Sequence, residues 1–314
     1  MNAHPWWPTE CAPEDAPAFV VGGELTWPGG SAALPGQRIA RNGWGRRGST
    51  RLVGELAKPA PDALALTWFS YREDCAYRGR FPLPQARIAA LMAQGVVAGP
   101  QRRRVPWDRI VVGMAPGGAV AVWLAAGATT CEVATFRAAP CELPWTRVLD
   151  NPQVPREQHL RQVLADAAPL GSLLAQGETG QPLATWLRRH TRWEWAATVA
   201  RPAVATRLVV RGWNGEREPW FVDGGFPARA ARAAPRELQL DWTDQAGTRR
   251  GAQVMFDEDE VYRAFGRLAG PGGRLPLSLD LEPAAVGGEL AVVLRSRHGT
   301  WRLRDATVQV FVDH

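Results

Sequence analysis

Two stretches of this chain repeat one another 174 residues apart, and that repetition constrains the fold more than any single motif. APDALALTW, Ala60 to Trp68, aligns without gaps onto APRELQLDW, Ala234 to Trp242, with Pro61, Leu64, Leu66 and Trp68 identical to Pro235, Leu238, Leu240 and Trp242. Farther along, GGAVAVWL from Gly117 aligns with GGELAVVL from Gly287, and Thr130 and Val133 fall on Thr300 and Leu303. The offset shortens to 170 across the connection carrying Arg102 to Pro106, and connections are where length changes are tolerated.

Each copy reads as strand, strand, helix, strand, strand, strand. Leu64 to Tyr71 alternates apolar and polar residues, the mark of a half-buried strand, and Ala76 to Leu83 is its hairpin partner. A helix is expected from Pro84 to Gln94, with Pro at its start and Gly95 past its end. Strands follow at Arg109 to Ala115, Ala119 to Ala126 and Thr130 to Arg137. The second copy has strands at Leu238 to Trp242 and Ala252 to Phe256, a helix from Glu258 to Leu268, then strands at Leu275 to Leu281, Glu289 to Ser296 and Thr300 to Val312. The expected class is therefore α+β: two related halves, each a mainly antiparallel sheet with one packed helix (β-β-α-β-β-β), and a helical insert between them. The insert carries helices at Arg156 to Ala167 and Pro182 to Arg192 and ends in Trp186, Trp193 and Trp195. The divisions are residues 1–59, loop-rich; 60–145, first repeat; 146–205, helical insert; and 206–314, a leading hairpin around Asn214-Gly215 plus the second repeat.

With 46% hydrophobic and 22% charged residues over 314 positions, the chain has the composition of a globular protein rather than a disordered one. No apolar run approaches the roughly 18 residues of a membrane span. The start, MNAHPWWPTECAPEDAPAF, lacks the basic and apolar regions of a secretory signal, so a cytoplasmic location is expected, or a periplasmic one if the sequence is a trimmed mature form. Net charge is +6, almost all from arginine because Lys58 is the only lysine. Arginines cluster at Arg38, Arg41, Arg46, Arg47 and Arg51 and at Arg102 to Arg104, but elsewhere they alternate with acids, and no nucleic-acid motif accompanies them. Cys11, Cys75, Cys131 and Cys141 form no C-x-x-C pair, so no zinc site is expected; a Cys131–Cys141 bridge would need an oxidising compartment.

Catalytic signals are weak. The five histidines, His4, His159, His190, His298 and His314, include no i, i+4 metal pair, and there is no esterase elbow, P-loop or Rossmann glycine pattern. Pro116-Gly117-Gly118 lies between strands and reads as a tight turn rather than a phosphate cradle. In the run Asp257 to Glu260, Asp257 reads as a helix N-cap with Glu260 completing a capping box. A hydrolase would need a nucleophile or paired acid within reach of His190 or Asp257. No catalytic residue, cofactor or metal is expected.

Fifteen tryptophans against three tyrosines invite the question of which are exposed. Trp68, Trp123 and Trp242 alternate within strands and belong to cores. Trp6, Trp7, Trp27, Trp44, Trp145 and Trp220 flank Pro- and Gly-rich connections, where they either pin loops or anchor a partner. The candidate partner-binding set is Trp44, Arg46, Arg47, Arg102, Arg103, Arg104, Trp145 and Trp220.

LTWFSYREDCAYRGRFPLPQARIAAL, WDRIVVGMAPGGAVAVWLAAG and WLRRHTRWEW together resemble an uncharacterised proteobacterial family of domain-of-unknown-function proteins. Many of its members are lipoproteins, and their genes often lie beside type VI secretion spike proteins and phospholipase effectors. The resemblance runs from about Pro61 to the C-terminus, with PGGAVAVWL, Pro116 to Leu124, as its most specific element. It implies an immunity protein that binds and neutralises a cognate effector toxin, without catalysis. The alternative is a small-molecule, sugar or lipid binding module using a Trp- and Arg-lined cleft between the halves.

Overall fold

Alternation along the strands sets the architecture: Leu64, Leu66 and Trp68 are buried in a core while Ala65 and Thr67 between them are only half-buried. The computed structural model describes residues 3–50, 54–167, 183–200, 203–222, 226, 228–284 and 289–312. The chain forms two compact units, residues 1–97 with 104–188, and residues 98–103 with 189–314. The fold is mixed α+β, dominated by antiparallel strands.

The first unit begins with β1 (Ala3–Pro5), β2 (Trp7–Cys11), β3 (Ala18–Trp27), β4 (Gly30–Ala33), β5 (Arg38–Ala40) and β6 (Ala57–Pro59). Then come β7 (Ala63–Ser70), β8 (Cys75–Pro82), α1 (Gln85–Gln94), the short pair β9 (Val96–Ala98) and β10 (Arg103–Val105), β11 (Arg109–Ala115), β12 (Ala119–Ala126), β13 (Thr129–Arg137) and β14 (Ala139–Cys141). One sheet runs β14-β8-β7-β3-β4, with β5 also on β3. The other contains β2-β11-β12-β13, in which β2 runs parallel to β11 and the remaining pairs are antiparallel. β1 pairs with β6. Both sheets and Ile88 and Met92 of α1 contribute to one core, in which Trp6, Trp68 and Ile110 are fully buried. Each such large side chain adds about 1.5–3 kcal/mol. Two further helices, α2 (Arg156–Ala167) and α3 (Leu183–Arg189), close this part of the chain.

The second unit comprises β15 (Arg192–Val199), β16 (Val204–Gly212), β17 (Arg217–Phe221), β18 (Ala230–Ala233), β19 (Pro235–Thr243), β20 (Arg249–Met255), α4 (Glu258–Leu268), β21 (Leu277–Pro283), β22 (Leu290–Ser296), β23 (Gly299–Arg302) and β24 (Thr307–Val312). Its strands follow one another as β17-β16-β19-β20-β24 and as β18-β15-β21-β22-β23, with β15 parallel to β21. Val261 and Phe265 of α4 share the core with both sets.

The structure departs from the sequence reading in identifiable places. Residues 1–59, expected to be loops, supply six strands, because β2 and β3 take their partners from β11 and β7 far along the chain. The helices of the two proposed repeats, α1 and α4, each lie in a core shared by two sheets rather than on one face of a single sheet. The second insert helix stops at Arg189, and Trp193-Glu194-Trp195 belongs to β15, where the buried-exposed-buried pattern has a strand's period of two. Thr300 to Val312 is broken into β23 and β24. The four cysteines are free thiols. Arg51, Pro182, Gly287 and Gly288 lie outside the described residues.

Candidate functional site

A bulge in β3 lines a groove of the first unit. The register with β7 passes from Val20↔Trp68 to Gly22↔Thr67, leaving Val21 as the extra residue. Gln37 secures the distortion: its backbone N–H donates to the Val20 carbonyl at 2.7 Å and its side-chain amide to that of Val21 at 2.7 Å. A side chain at Gly22 would meet no atom within 4 Å, so the missing Cβ leaves open space above the sheet.

That space is part of a groove of about 490 Å³. Gly22, Ala65 and Thr67 floor it, Glu24 and Ala33 lie along it, and Arg78 projects from β8; Leu143, Pro144 and Arg147 form the opposite wall. Arg78, Arg147 and Glu24 are exposed and take part in no ion pair among the described residues. Many other arginines are paired, as in Arg38–Glu10 at 3.5 Å and Arg156–Asp74 at 2.7 Å.

The wall is held by the layer that follows β14. Trp145 packs edge-on against Phe69 at 5.5 Å, and the Arg156 guanidinium lies 5.0 Å from the Trp145 ring. Val163 of α2 joins Phe19, Val21, Phe69 and Tyr71 in a small apolar cluster. Beneath it the Tyr71 hydroxyl and His159 Nε2 are hydrogen-bonded at 3.1 Å. Burial pushes Tyr71 well above the usual phenol range and His159 below the usual imidazole value. Nearby, the Tyr77 hydroxyl donates to Glu73 at 3.0 Å, and the Gly117 N–H donates to the same carboxylate at 2.8 Å. Gly117 and Gly118 have φ of 75° and 76°, so Pro116-Gly117-Gly118 is the tight turn its position suggests.

The candidate partner-binding residues separate in the structure. Trp44 is buried: it meets Trp123 at 4.9 Å and Trp186 at 5.0 Å over Gly113, where a Cβ would come within 2.8 Å of both Trp123 and Trp44. Trp220 is also buried, donating to Glu218 at 3.1 Å with Arg232 5.1 Å from its ring. Neither is a surface anchor. Both are pinned where apolar area has the most to gain. Arg46 pairs with Glu14 at 2.9 Å, and Arg47 donates to the Gly127 carbonyl. Arg102 and Arg103 are exposed, as is Arg104, which donates to the Gln94 carbonyl. Of the eight, only Trp145 belongs to the groove's supporting layer. The groove's own residues were missed because a Gly-Gly pair in a strand signals a bulge without saying what will roof it.

The acidic run resolves into structural roles. Asp257 caps α4, accepting from the Glu260 N–H at 2.8 Å. The Glu260 carboxylate instead accepts from the N–H groups of Arg304 and Asp305 at 2.9 Å, tying down the break between β23 and β24. Glu258 forms a buried two-point pair with Arg189, at 3.1 and 2.7 Å. No group of three or more His, Cys, Asp or Glu among the described residues is placed to hold a metal ion, and no described helix is long and apolar enough to cross a membrane.

No curated protein and no solved structure matches the chain. A family model described as protein of unknown function, DUF2931, matches residues 2–166, which takes in the strands residues 1–59 supply, the groove and nearly all of α2. The match begins well before Pro61, where the resemblance in the sequence was placed. With more than half of its length covered by that model, the chain belongs to the DUF2931 family.

Proposed function

We propose that this chain is a non-catalytic protein-binding module that neutralises a cognate effector toxin, with the groove of the first unit as its recognition site. The observation that carries the reading is a pair of exposed arginines that form no ion pair among the described residues, Arg78 and Arg147, over an open groove floored by a sheet. Burying a guanidinium costs solvation, and an arriving carboxylate that forms charge-assisted hydrogen bonds to it offsets that cost. An acidic loop of a protein fits these requirements, and the chain's net charge of +6 would speed its approach. The family resemblance points to a type VI secretion phospholipase as the toxin.

Co-expression with the effector encoded beside this gene is the test. Wild type should restore growth and co-elute with the toxin, and Arg78→Glu with Arg147→Glu should lose both while keeping its circular dichroism. Unchanged toxicity and no complex with the wild type would reject the proposal. The groove volume also lies within the ligand-site range of about 300–1,000 Å³, which favours a small anionic molecule as the second reading. A rise in unfolding temperature on adding citrate, removed by the same double reversal, would select it.

We also infer that the two units are copies of one design, more extensive than the sequence repeat. The series β2, β3, β4, β7, β8, α1, β11, β12, β13, β14 matches β15, β16, β17, β19, β20, α4, β21, β22, β23, β24 in pairing and direction, including the parallel pairs β2–β11 and β15–β21. Supporting detail comes from Trp6, whose indole N–H donates to the Pro59 carbonyl at 3.2 Å, and Trp195, which donates to that of Ala233 at 3.1 Å. Lys58 Nζ donates to the Trp6 carbonyl at 3.0 Å, and Arg232 donates to the Trp195 carbonyl at 3.1 Å. Lys58 and Arg232, like Pro59 and Ala233, are separated by the same 174 positions as the repeat.

A further inference from the structure

The strands that end sheets in this chain are almost all blunted. β14 is three residues long and contains Pro140; β4 is four residues long; β2 carries Pro8 and the buried Glu10; β18 carries Arg232; β23 is four residues long and ends in Arg302. These are the usual defences against edge-to-edge association. β24 lacks all of them. It pairs with β20 along one side over six residues, from Arg250↔Val312 to Met255↔Thr307, and among the described residues it is the last strand of its sheet. Its sequence, TVQVFV, has no charge, proline or glycine. Val308 and Val310 pack against the core, while Thr307, Gln309 and Phe311 are exposed, Phe311 at 52%.

We propose that the free edge of β24 is a self-association surface, pairing antiparallel with β24 of a second copy about a two-fold axis near Gln309. An edge strand presents backbone N–H and C=O groups that only another extended backbone satisfies as a row. A two-fold sets the strand against itself, so a strand without charges places no like charges opposite one another. With Gln309 opposite Gln309 of the second copy, Val308 faces Val310, and Phe311 faces Thr307, whose side chain covers part of the exposed ring. A contact of one strand pair is small, so the dimer is weak and depends on concentration.

Sedimentation equilibrium of the full chain over the micromolar range tests this. Wild type should show a reversible monomer–dimer equilibrium, and Gln309→Lys, which sets two ammonium groups face to face at an exposed position, should raise the dissociation constant tenfold or more, about 1.4 kcal/mol. Phe311→Asp should do the same, and unchanged circular dichroism would show that both variants fold. A wild type that stays monomeric throughout, or folded variants that dimerise as tightly as wild type, would overturn the proposal. Because no toxin is involved, the outcome is independent of the groove reading.

Discussion

The two units, proposed above to be copies of one design, differ in what lies outside their sheets. In the first, the outer side of β11 and β12, with Val111, Ala115, Ala121 and Trp123, is buried under Trp44 and Trp186, and the outer side of β3 and β7 is partly covered by α2. In the second, the equivalent surfaces carry ion pairs: Asp280 and Glu282 each meet Arg295 at 2.6 Å, Arg207 meets Asp241 at 3.0 Å and Arg211 meets Glu237 at 3.4 Å. The frame of two sheets and one helix therefore closes its own core without a further layer. What the first unit adds is a covering layer, and the groove exists where that layer stops short. Function is expected in the addition.

The comparison breaks most directly at the cover. Trp186 is fully buried, so Trp186→Ala should cost about 3–5 kcal/mol. Arg295→Ala on the open face of the second unit should leave stability close to wild type, because its ion pairs are solvated. Urea unfolding with matched m-values measures both, and comparable losses would mean that the cover is not a packed layer. Charge shows the opposite asymmetry. Glu258 of the second unit faces an Arg189 side chain only 1% exposed, and removing one member of such a pair strands the other, so Glu258→Gln should cost about 3–5 kcal/mol. The Arg46–Glu14 pair of the first unit is only part-buried, with Arg46 partly open to solvent, and Glu14→Gln should cost less than Glu258→Gln.

What was legible in the sequence was local. β7, β8, α1 and α4 fall within a few residues of expectation because alternation and caps such as Asp257 act over neighbouring positions. β2 and β3 were hidden because Pro5, Pro8, Pro13 and Pro17 read as loop residues, although β2 ends its sheet, where proline is tolerated. Trp44 and Trp220 were misplaced because a Gly- or Pro-rich setting does not reveal which core a ring enters. The groove was illegible for the same kind of reason: its floor at Gly22 and its wall at Arg147 are brought together only by tertiary folding.

Lys58 sharpens the equivalence between units with a smaller effect. It is 3% exposed, donates to the Trp6 carbonyl and lies 3.9 Å from the Trp7 ring centre. Lys58→Met removes a charge-assisted hydrogen bond and should cost about 1.5–3 kcal/mol. Lys58→Arg installs the residue found at the matched position, Arg232, and should stay within about 1 kcal/mol of wild type. If the arginine variant loses as much as the methionine variant in denaturant titrations, the proposed match between Lys58 and Arg232 fails.

The smallest effect belongs to His159, which ties α2 to the sheet of the first unit through Tyr71 and meets Trp145 edge-on at 5.8 Å. Burial lowers its folded pKa beneath the ordinary 6.5, so the folded state holds the neutral ring more firmly than the unfolded chain does. Its contribution is complete above that ordinary value and declines as pH falls through it towards the lowered one, with a slope of at most about 1.4 kcal/mol per pH unit. Unfolding midpoints should therefore drop on acidification in the wild type and drop less in His159→Gln over the same interval. Identical pH dependence in the two proteins would show that the cover of the first unit is held by packing alone.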